Sequence, residues 1–265
     1  MEHILVKGGG PILITAPHTI KTNRFYVNNT KIHEAENFIY QILMKLYKKL
    51  GRKRCTIMTW DKDKIEHIIP EDPNYTKNLD TSIWFKHLKK IKKQKTNCAL
   101  HIDLHGMNNK SSYYDIEIGI NALKKSNLKL YKKLKPIIMQ EFDKLGIKYS
   151  LNGKFGGSGN KHNTITDKGI LLGFNSIQLE LEGDIRKRLV KDKKFFNKFT
   201  NILKNIHKEL VPICSLKKKS LFKKKRTKRR RTKKGVRGCP PRTKRRRTKK
   251  GVRGCHPRTK KNNKI

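Results

Sequence analysis

Hydrophobic runs alternate with amphipathic stretches through most of the chain. Short apolar runs predict buried strands, and apolar residues at every third or fourth position predict helices. The predicted strands span residues 12–17, 55–60, 97–105, 113–120 and 176–183, and the predicted helices span residues 31–50, 82–95, 126–146 and 193–210. This alternation indicates a three-layer α/β/α domain around a mixed, largely parallel sheet. In such sheets, functional side chains gather at the carboxyl ends of the strands.

The predicted strand CALHIDLH carries three ionisable side chains at alternate positions, His101, Asp103 and His105. Because successive side chains of a strand point to opposite faces, these three share one face, and the leucine and isoleucine residues between them share the other. A buried strand carries several ionisable groups on one side when they are paired or when they hold something. The stripe therefore indicates either a metal or catalytic site or a hydrogen-bonded polar cluster in the core.

Three further polar residues lie where a catalytic site is expected. His18 follows the first predicted strand, Glu36 lies on the apolar face of the first predicted helix, and Glu180 lies on the last predicted strand. A catalytic zinc ion is held by three His, Asp or Glu side chains, with a fourth position open. His18, Glu36 and His105 could supply these ligands, Asp103 could orient a histidine ring, and Glu180 could accept a proton from water.

The order of these segments resembles the N-formylglutamate amidohydrolase family, which is itself similar to the zinc carboxypeptidases. The resemblance covers roughly residues 10–190 and rests on ILITAPH, HIDLHG, YDIEIGI, LNGKFGGSGNKHN and IQLELEGDIR. It implies a zinc-dependent hydrolase that cleaves an amide bond in an N-acyl amino acid or a small peptide-like substrate.

The resemblance also implies roles for individual residues. His18, Glu36 and His105 would be the zinc ligands and Glu180 the catalytic base, although the HEAE segment offers Glu34 as an alternative acidic ligand. The residues expected to line the substrate site are Asn152, Gly156, Gly157, His162 and Arg186.

Charge divides the chain into two parts. Of 265 residues, 66 are Lys or Arg and 20 are Asp or Glu, which gives a net charge of +46. Residues 217–265 hold 26 of these positive charges and no acidic residue, which leaves +20 for residues 1–216. We expect residues 1–216 to form the catalytic domain and residues 217–265 to form a disordered basic tail. Within the tail, the 16-residue unit 226–241 recurs at 242–257, and one Val and one Cys per unit cannot form a core.

A tail of this composition is typical of polyanion binding. Lys and Arg side chains that neutralise phosphates give a salt-dependent affinity for nucleic acid that does not depend on sequence. The arginines expected to contact phosphates are Arg229, Arg230, Arg231, Arg245, Arg246 and Arg247. The alternative function is therefore a hydrolase-like scaffold that has lost catalysis and binds or packages nucleic acid through its tail.

The cysteines and the apolar segments indicate the compartment. The five cysteines are scattered and none forms a CxxC pair, so neither a disulfide framework nor a cysteine-based zinc site is expected. The sequence contains no apolar run long enough for a signal peptide or a membrane span. We expect an intracellular protein that does not bind membranes, and KKKRTKRRR at 223–231 would suit a nucleus or a virus particle.

Overall fold

The structure is a computed structural model. It describes residues 3–26, 29–65, 68–76, 78–79, 81–95, 98–108, 113–159 and 164–233, with side chains described as far as residue 214. By its internal contacts, the chain divides into residues 1–221 and residues 222–265. Apart from the last residues of the final helix, the fold described below is that of the first unit.

Most of the strands join one sheet. In chain order the strands are β1 (Ile4–Gly8), β2 (Ile12–Ala16), β3 (Thr22–Phe25), β4 (Thr30–His33), β5 (Cys55–Trp60), β6 (Leu100–Gly106), β7 (Ile116–Gly119), β8 (Tyr149–Leu151) and β9 (Asn175–Leu181). Among the described residues, seven of them form a sheet in the order β1-β5-β2-β6-β9-β7-β8, and β3 pairs with β4 in a separate hairpin. Four of the six pairings in the large sheet are parallel, so the prediction of a mixed, largely parallel sheet is confirmed.

Helices cover both faces of this sheet. They are α1 (Ile39–Leu50), α2 (Ile83–Lys93), α3 (Asn121–Ser126), α4 (Leu128–Asp143), α5 (Ile165–Leu171), α6 (Gly183–Lys191) and α7 (Lys193–Lys233). Successive side chains of β2 enter the hydrophobic cores on opposite faces of the sheet. Ile14 packs in the same core as Leu43 of α1, whereas Leu13 packs in the same core as Trp84 of α2 and Ile165 of α5. A sheet with a hydrophobic core on each face is the predicted three-layer arrangement.

The first predicted helix is wrong over its first residues. Residues 30–33 form β4, whose backbone pairs antiparallel with β3, and α1 begins only at Ile39. Ile32, which the helical pattern placed on the buried stripe, is 54% exposed. Glu36 therefore lies in the connection between β4 and α1 and not on a helix face, because pairing with β3 satisfies the backbone of residues 30–33 more completely than the end of a helix would.

The predicted helix over residues 126–146 corresponds to α4, and the short helix α3 that precedes it was not predicted. Asn127 has a non-helical backbone, and its side chain accepts a hydrogen bond from the N–H of Leu130, so it ends α3 and caps α4. The short elements β1, β3, β8, α5 and α6 were also not predicted.

The last helix is longer than the predicted span 193–210. Its backbone stays helical to Lys233, which includes residues that were assigned to the disordered tail. Residues 234–265 lie outside the described residues, so a disordered tail remains a prediction for them. None of the helices in the described ranges combines the length and the apolar character that crossing a bilayer requires.

The packing of α1 on the sheet generates a prediction about stability. Leu46 is completely buried on α1, so Leu46→Ala should lower the free energy of unfolding by about 2–5 kcal/mol through lost burial and a residual cavity. Leu171→Ala is the matched control, because Leu171 is 66% exposed and its truncation should change stability by at most about 0.5 kcal/mol. Urea unfolding followed by tryptophan fluorescence measures both, and equal losses would contradict the described core.

Candidate metal centre

Three adjacent parallel strands end at the same edge of the sheet and bring polar side chains together there. β6 lies between β2 and β9 and pairs in parallel with both. His18 follows the end of β2, and His105 lies near the end of β6. Glu180, near the end of β9, is the register partner of His105, so their side chains leave the same face of the sheet.

The side chains of His18, Glu36 and His105 point their donor atoms at one another. Nδ1 of His18 lies 2.9 Å from Oε1 of Glu36 and 3.1 Å from Nδ1 of His105, and Nδ1 of His105 lies 3.6 Å from the same Glu36 oxygen. These side chains are only 3%, 8% and 2% exposed. The structure thus brings the three predicted ligands together in a triangle of buried donor atoms.

Glu36 reaches this triangle through backbone hydrogen bonds at the ends of two strands. Its own N–H donates to the carbonyl of His18 at 2.8 Å, and its Oε2 accepts from the N–H of Gly106 at 2.8 Å. Glu34 does not take part, since its side chain is 70% exposed and pairs with Lys21 at 3.1 Å. Of the two acidic alternatives in HEAE, the geometry favours Glu36.

His33 is a fourth donor that the sequence analysis missed. His18, His33 and Glu36 offer ligand atoms that all lie within 4.8 Å of one another, a cluster that could hold a metal ion. Nε2 of His33 is 3.4 Å from Oε1 of Glu36, and its ring packs edge-on against His18 with centroids 4.2 Å apart. The spacing His33-x-x-Glu36 in the sequence was a signal for this donor, but only the acidic residues of HEAE were considered as ligands.

Asp72 supports His18 from the side away from the donor triangle. Because a carboxylate only accepts, Nε2 of His18 donates to both Asp72 oxygens at 3.0 Å. Nε of Arg24 donates to Asp72 at 2.6 Å, and the N–H of Asn74 donates at 2.9 Å. The sequence analysis missed Asp72, although D-P-N is a turn signal in which an aspartate side chain caps its own backbone.

Asp103, the residue predicted to orient a histidine ring, lies next to His105 on the side away from the donor triangle. Its Oδ2 lies 3.2 Å from Nε2 of His105. The hydroxyl groups of Thr15 and Thr166 donate to its two oxygens at 2.7 and 2.9 Å. Among the described residues Nε2 of His105 has no well-aligned hydrogen bond, so this contact is an ion pair whose carboxylate is held by the two threonines.

His101, the third member of the stripe, lies deeper in the core. Its ring bonds to Thr15 at 2.9 Å and to Ser176 at 2.8 Å. Helix α5 packs directly on these groups because Gly169 has no side chain; a Cβ there would lie 2.3 Å from Nδ1 of His101. Burial lowers the pKa of His101 to about 4, so it is a neutral core histidine at pH 7. The polar-cluster interpretation therefore applies to His101.

The candidate metal centre consists of His18, Glu36, His105 and the carboxylates next to them, and its opposite charges balance one another. Burial opposes the charge on His18, but the Glu36 and Asp72 carboxylates outweigh it and raise its pKa. Burial likewise opposes charge on His105, yet Asp103 and Glu180 raise its pKa well above the usual value. Burial favours protonated Glu36, but the His18 and His105 contacts hold its pKa well below the usual range.

Glu180 differs from the other carboxylates of the centre. Burial, with a further contribution from the Glu36 charge, raises its pKa to about 7 despite the opposing effect of His105. Gln178, two residues earlier on the same face, donates to Glu180 through Nε2 at 2.6 Å. A carboxyl group with this pKa can both accept and release a proton near neutral pH.

The glycine-rich loop after β8 is attached to β7. Oδ1 of Asn152 accepts from the N–H of Ile120 at 2.7 Å. Gly157 has a φ of +70° and approaches Gly119 so closely that a Cβ would lie 2.6 Å from the Gly119 carbonyl oxygen. The carbonyl of Gly156 accepts from the N–H of Asn121 at 2.8 Å. These contacts hold the loop in place, and its role in substrate binding stays a prediction.

The remaining two predicted substrate residues are Arg186 and His162. The guanidinium of Arg186 donates to the carbonyls of Asn37 and Met107 at 2.8 and 3.1 Å, beside the segments that carry Glu36 and His105. His162 lies outside the described residues.

Comparisons with known proteins give similarity of fold at low identity. No family model and no curated protein matches the chain. Among solved structures, a zinc-free form of YndL is 16% identical with a TM-score of 0.45, and the match covers 77% of this chain and 88% of that one. N-formylglutamate amidohydrolase from Ralstonia eutropha JMP134 is 10% identical with a TM-score of 0.41, covering 83% and 100%. The gene product Atu2144 from Agrobacterium tumefaciens is 10% identical with a TM-score of 0.48, covering 80% and 95%.

The buried His101 generates a prediction about pH. Its pKa falls from 6.5 to about 4 on folding, so between these values the unfolded chain binds more protons and stability decreases as pH decreases. His101→Gln keeps hydrogen-bonding groups for Thr15 and Ser176 but removes this titration. The variant should therefore lose less stability than the wild type between pH 6.5 and pH 4. Urea unfolding at a series of pH values measures the slopes, and parallel curves would contradict the assignment.

Proposed function

We propose that this protein is a zinc-dependent hydrolase that cleaves an amide bond in an N-acyl amino acid or a small peptide-like substrate. His18, Glu36 and His105 would hold the zinc ion, and Glu180 would act as general base. The observation that carries the proposal is the triangle of buried donor atoms beside a carboxyl group whose pKa is raised to about 7.

The donor set fits zinc in type and in spacing. Zinc prefers imidazole nitrogens and carboxylate oxygens at about 2.0–2.1 Å, and a tetrahedral arrangement at this bond length separates its donors by about 3.4 Å. The three separations of 2.9, 3.1 and 3.6 Å lie on both sides of that value. The Nδ1 atoms of His18 and His105 share a hydrogen bond at 3.1 Å, and a cation bound between them would replace the proton of this bond.

The residues behind the donors support the same conclusion. Ligating histidines in zinc sites usually donate their second ring nitrogen to a carboxylate, which fixes the ring orientation and raises its basicity. Asp72 lies in this position for His18, and Asp103 lies in it for His105. Because each carboxylate is itself held by further donors, both rings would be oriented before metal binding.

Glu180 would carry the proton transfers. When bound, zinc would supply a Lewis acid that polarises a carbonyl group and lowers the pKa of water. Glu180 would take a proton from the attacking water and deliver it to the leaving amine, which requires a pKa near neutrality in both directions. The hydrogen bond from Gln178 would keep the carboxylate oriented toward the substrate.

The substrate class is supported by the sequence resemblance and by charge. The part of the chain before the tail carries a net charge of +20, which favours acidic substrates through long-range attraction. N-acyl amino acids carry a free carboxylate next to the amide bond and meet this requirement.

Two substitutions separate metal binding from catalysis. Glu180→Gln should retain about one zinc per chain and lose turnover of N-acyl amino acids, because the amide cannot accept a proton. His105→Ala should lose both zinc and turnover. Zinc content by elemental analysis and release of free amine measure the two properties.

Glu34→Gln serves as the control, because Glu34 is exposed and lies away from the centre. It should leave zinc content and turnover unchanged. Wild-type turnover in Glu180→Gln would overturn the assignment of the base, and full zinc content in His105→Ala would overturn the ligand set.

We propose in addition that the basic tail binds nucleic acid, which is the second candidate function if catalysis is absent. The supporting observation is that residues 217–265 contain 26 Lys and Arg residues and no acidic residue. The proposal requires only phosphate contacts and no base recognition.

Substitution of six tail arginines by Gln tests this binding in the full chain. The positions are Arg229, Arg230, Arg231, Arg245, Arg246 and Arg247. For mixed-sequence duplex DNA, each lost phosphate contact should reduce the slope of log affinity against log salt by about 0.9. Fluorescence anisotropy at several salt concentrations measures this slope, and an unchanged slope would show that these arginines do not contact the DNA.

A further inference from the structure

His33 reaches the donor triangle from a different part of the fold than the other donors. It is the last residue of β4, in the hairpin outside the large sheet. Its side chain is 25% exposed, whereas those of His18 and His105 are 3% and 2% exposed. His33 therefore lies on the solvent side of the centre.

The geometry of His33 is that of an additional donor. Its Nε2 lies 3.4 Å from Oε1 of Glu36, the oxygen that also faces His18 and His105. Its ligand atom lies within 4.8 Å of the ligand atoms of His18 and Glu36. A fourth donor from the protein thus stands next to the three that the proposed function uses.

Its surroundings differ from those of the other two histidines. His18 and His105 each have a carboxylate at the ring nitrogen that faces away from the triangle, Asp72 and Asp103. In the described part of the chain, the hydrogen bond of the His33 ring is the one to Glu36, on the triangle side. A ring without a carboxylate behind it is held less firmly and is a weaker base.

The hairpin that carries His33 is attached to the support of His18. The N–H of Asn23 donates to the carbonyl of Pro70, and the N–H of Asp72 donates to the carbonyl of Asn23, both at 2.8 Å. Arg24 of the same hairpin donates to the Asp72 carboxylate. The hairpin therefore holds His33 close to the centre while leaving its side chain partly exposed.

We propose that His33 is an exchangeable fourth ligand, which occupies the open coordination position in the absence of substrate and leaves it when a substrate carbonyl or carboxylate binds. The inference rests on the proposed function, because it requires a metal ion at His18, Glu36 and His105. Four protein ligands are typical of closed structural sites, and three with an open position are typical of catalytic sites. Binding of His33 would close the coordination position, and its release would open that position.

Cobalt binding tests this inference without any assay of turnover. Full-length wild-type protein and the variants His33→Ala and His33→Gln are loaded with Co²⁺ alone, and affinity is measured by competition with a chelator. Loss of His33 should weaken cobalt binding by at least about tenfold. Removal of an outer-sphere partner typically weakens metal binding by about 10–100-fold, and loss of a direct ligand should weaken it by no less than the lower of these values. The visible absorption bands should also shift, because one nitrogen donor is lost. Added acetate should make the wild-type and variant spectra converge, since it occupies the same position in both.

Two controls make every outcome decisive. Ile32→Ala changes the exposed neighbour on the same strand and should match the wild type in affinity and spectrum. His105→Ala should abolish binding. If His33→Ala matches the wild type while His105→Ala loses cobalt, the role of His33 is overturned and the proposed centre stands. If the wild type itself binds no cobalt, both the inference and the proposed function are overturned.

Discussion

Compensation of buried charge at the ends of β2, β6 and β9 is the constraint on which the rest of the structure depends. The side chains of His18, His105 and Glu36 are almost fully buried. An isolated charge is very unfavourable in such a buried environment. The fold compensates by placing each charged ring between carboxylates and by satisfying the carboxylates with backbone and hydroxyl donors. If a metal ion binds there as proposed, it would replace protons of these rings with little change in net charge.

The residues of the centre come partly from strands of the sheet and partly from connections outside it. The parallel register of β6 and β9 places His105 beside Glu180, and this arrangement follows from the sheet itself. Glu36 and Asp72 come from connections outside the sheet and are positioned by hydrogen bonds with backbone groups. The strands thus supply His105 and Glu180, while connections supply the carboxylates that set the charge and orientation of His18.

Helix α5 links the polar face of the sheet to these connections. Thr166 binds Asp103, and the Ile165 N–H donates to the side chain of Asn74 at 2.7 Å. Lys168 of the same helix is almost fully buried and donates to the carbonyl of Pro73, and burial lowers its pKa to about 8. One short helix therefore contacts Asp103 directly and the segment next to Asp72 through Pro73 and Asn74.

The alternation of strands and amphipathic helices was sufficient to predict the layered fold, because hydrophobic periodicity depends on which face of each element is buried. The period of two in HIDLH placed His105 and Asp103 on one face, and proximity to strand ends indicated His18 and Glu180. Tertiary structure alone decided that residues 30–33 pair as a strand, that His33 joins the donor triangle, and that Asp72 lies behind His18. These contacts join segments that are distant along the chain, and their energy comes from hydrogen bonds and compensated charge that form only after the sheet has brought the segments together.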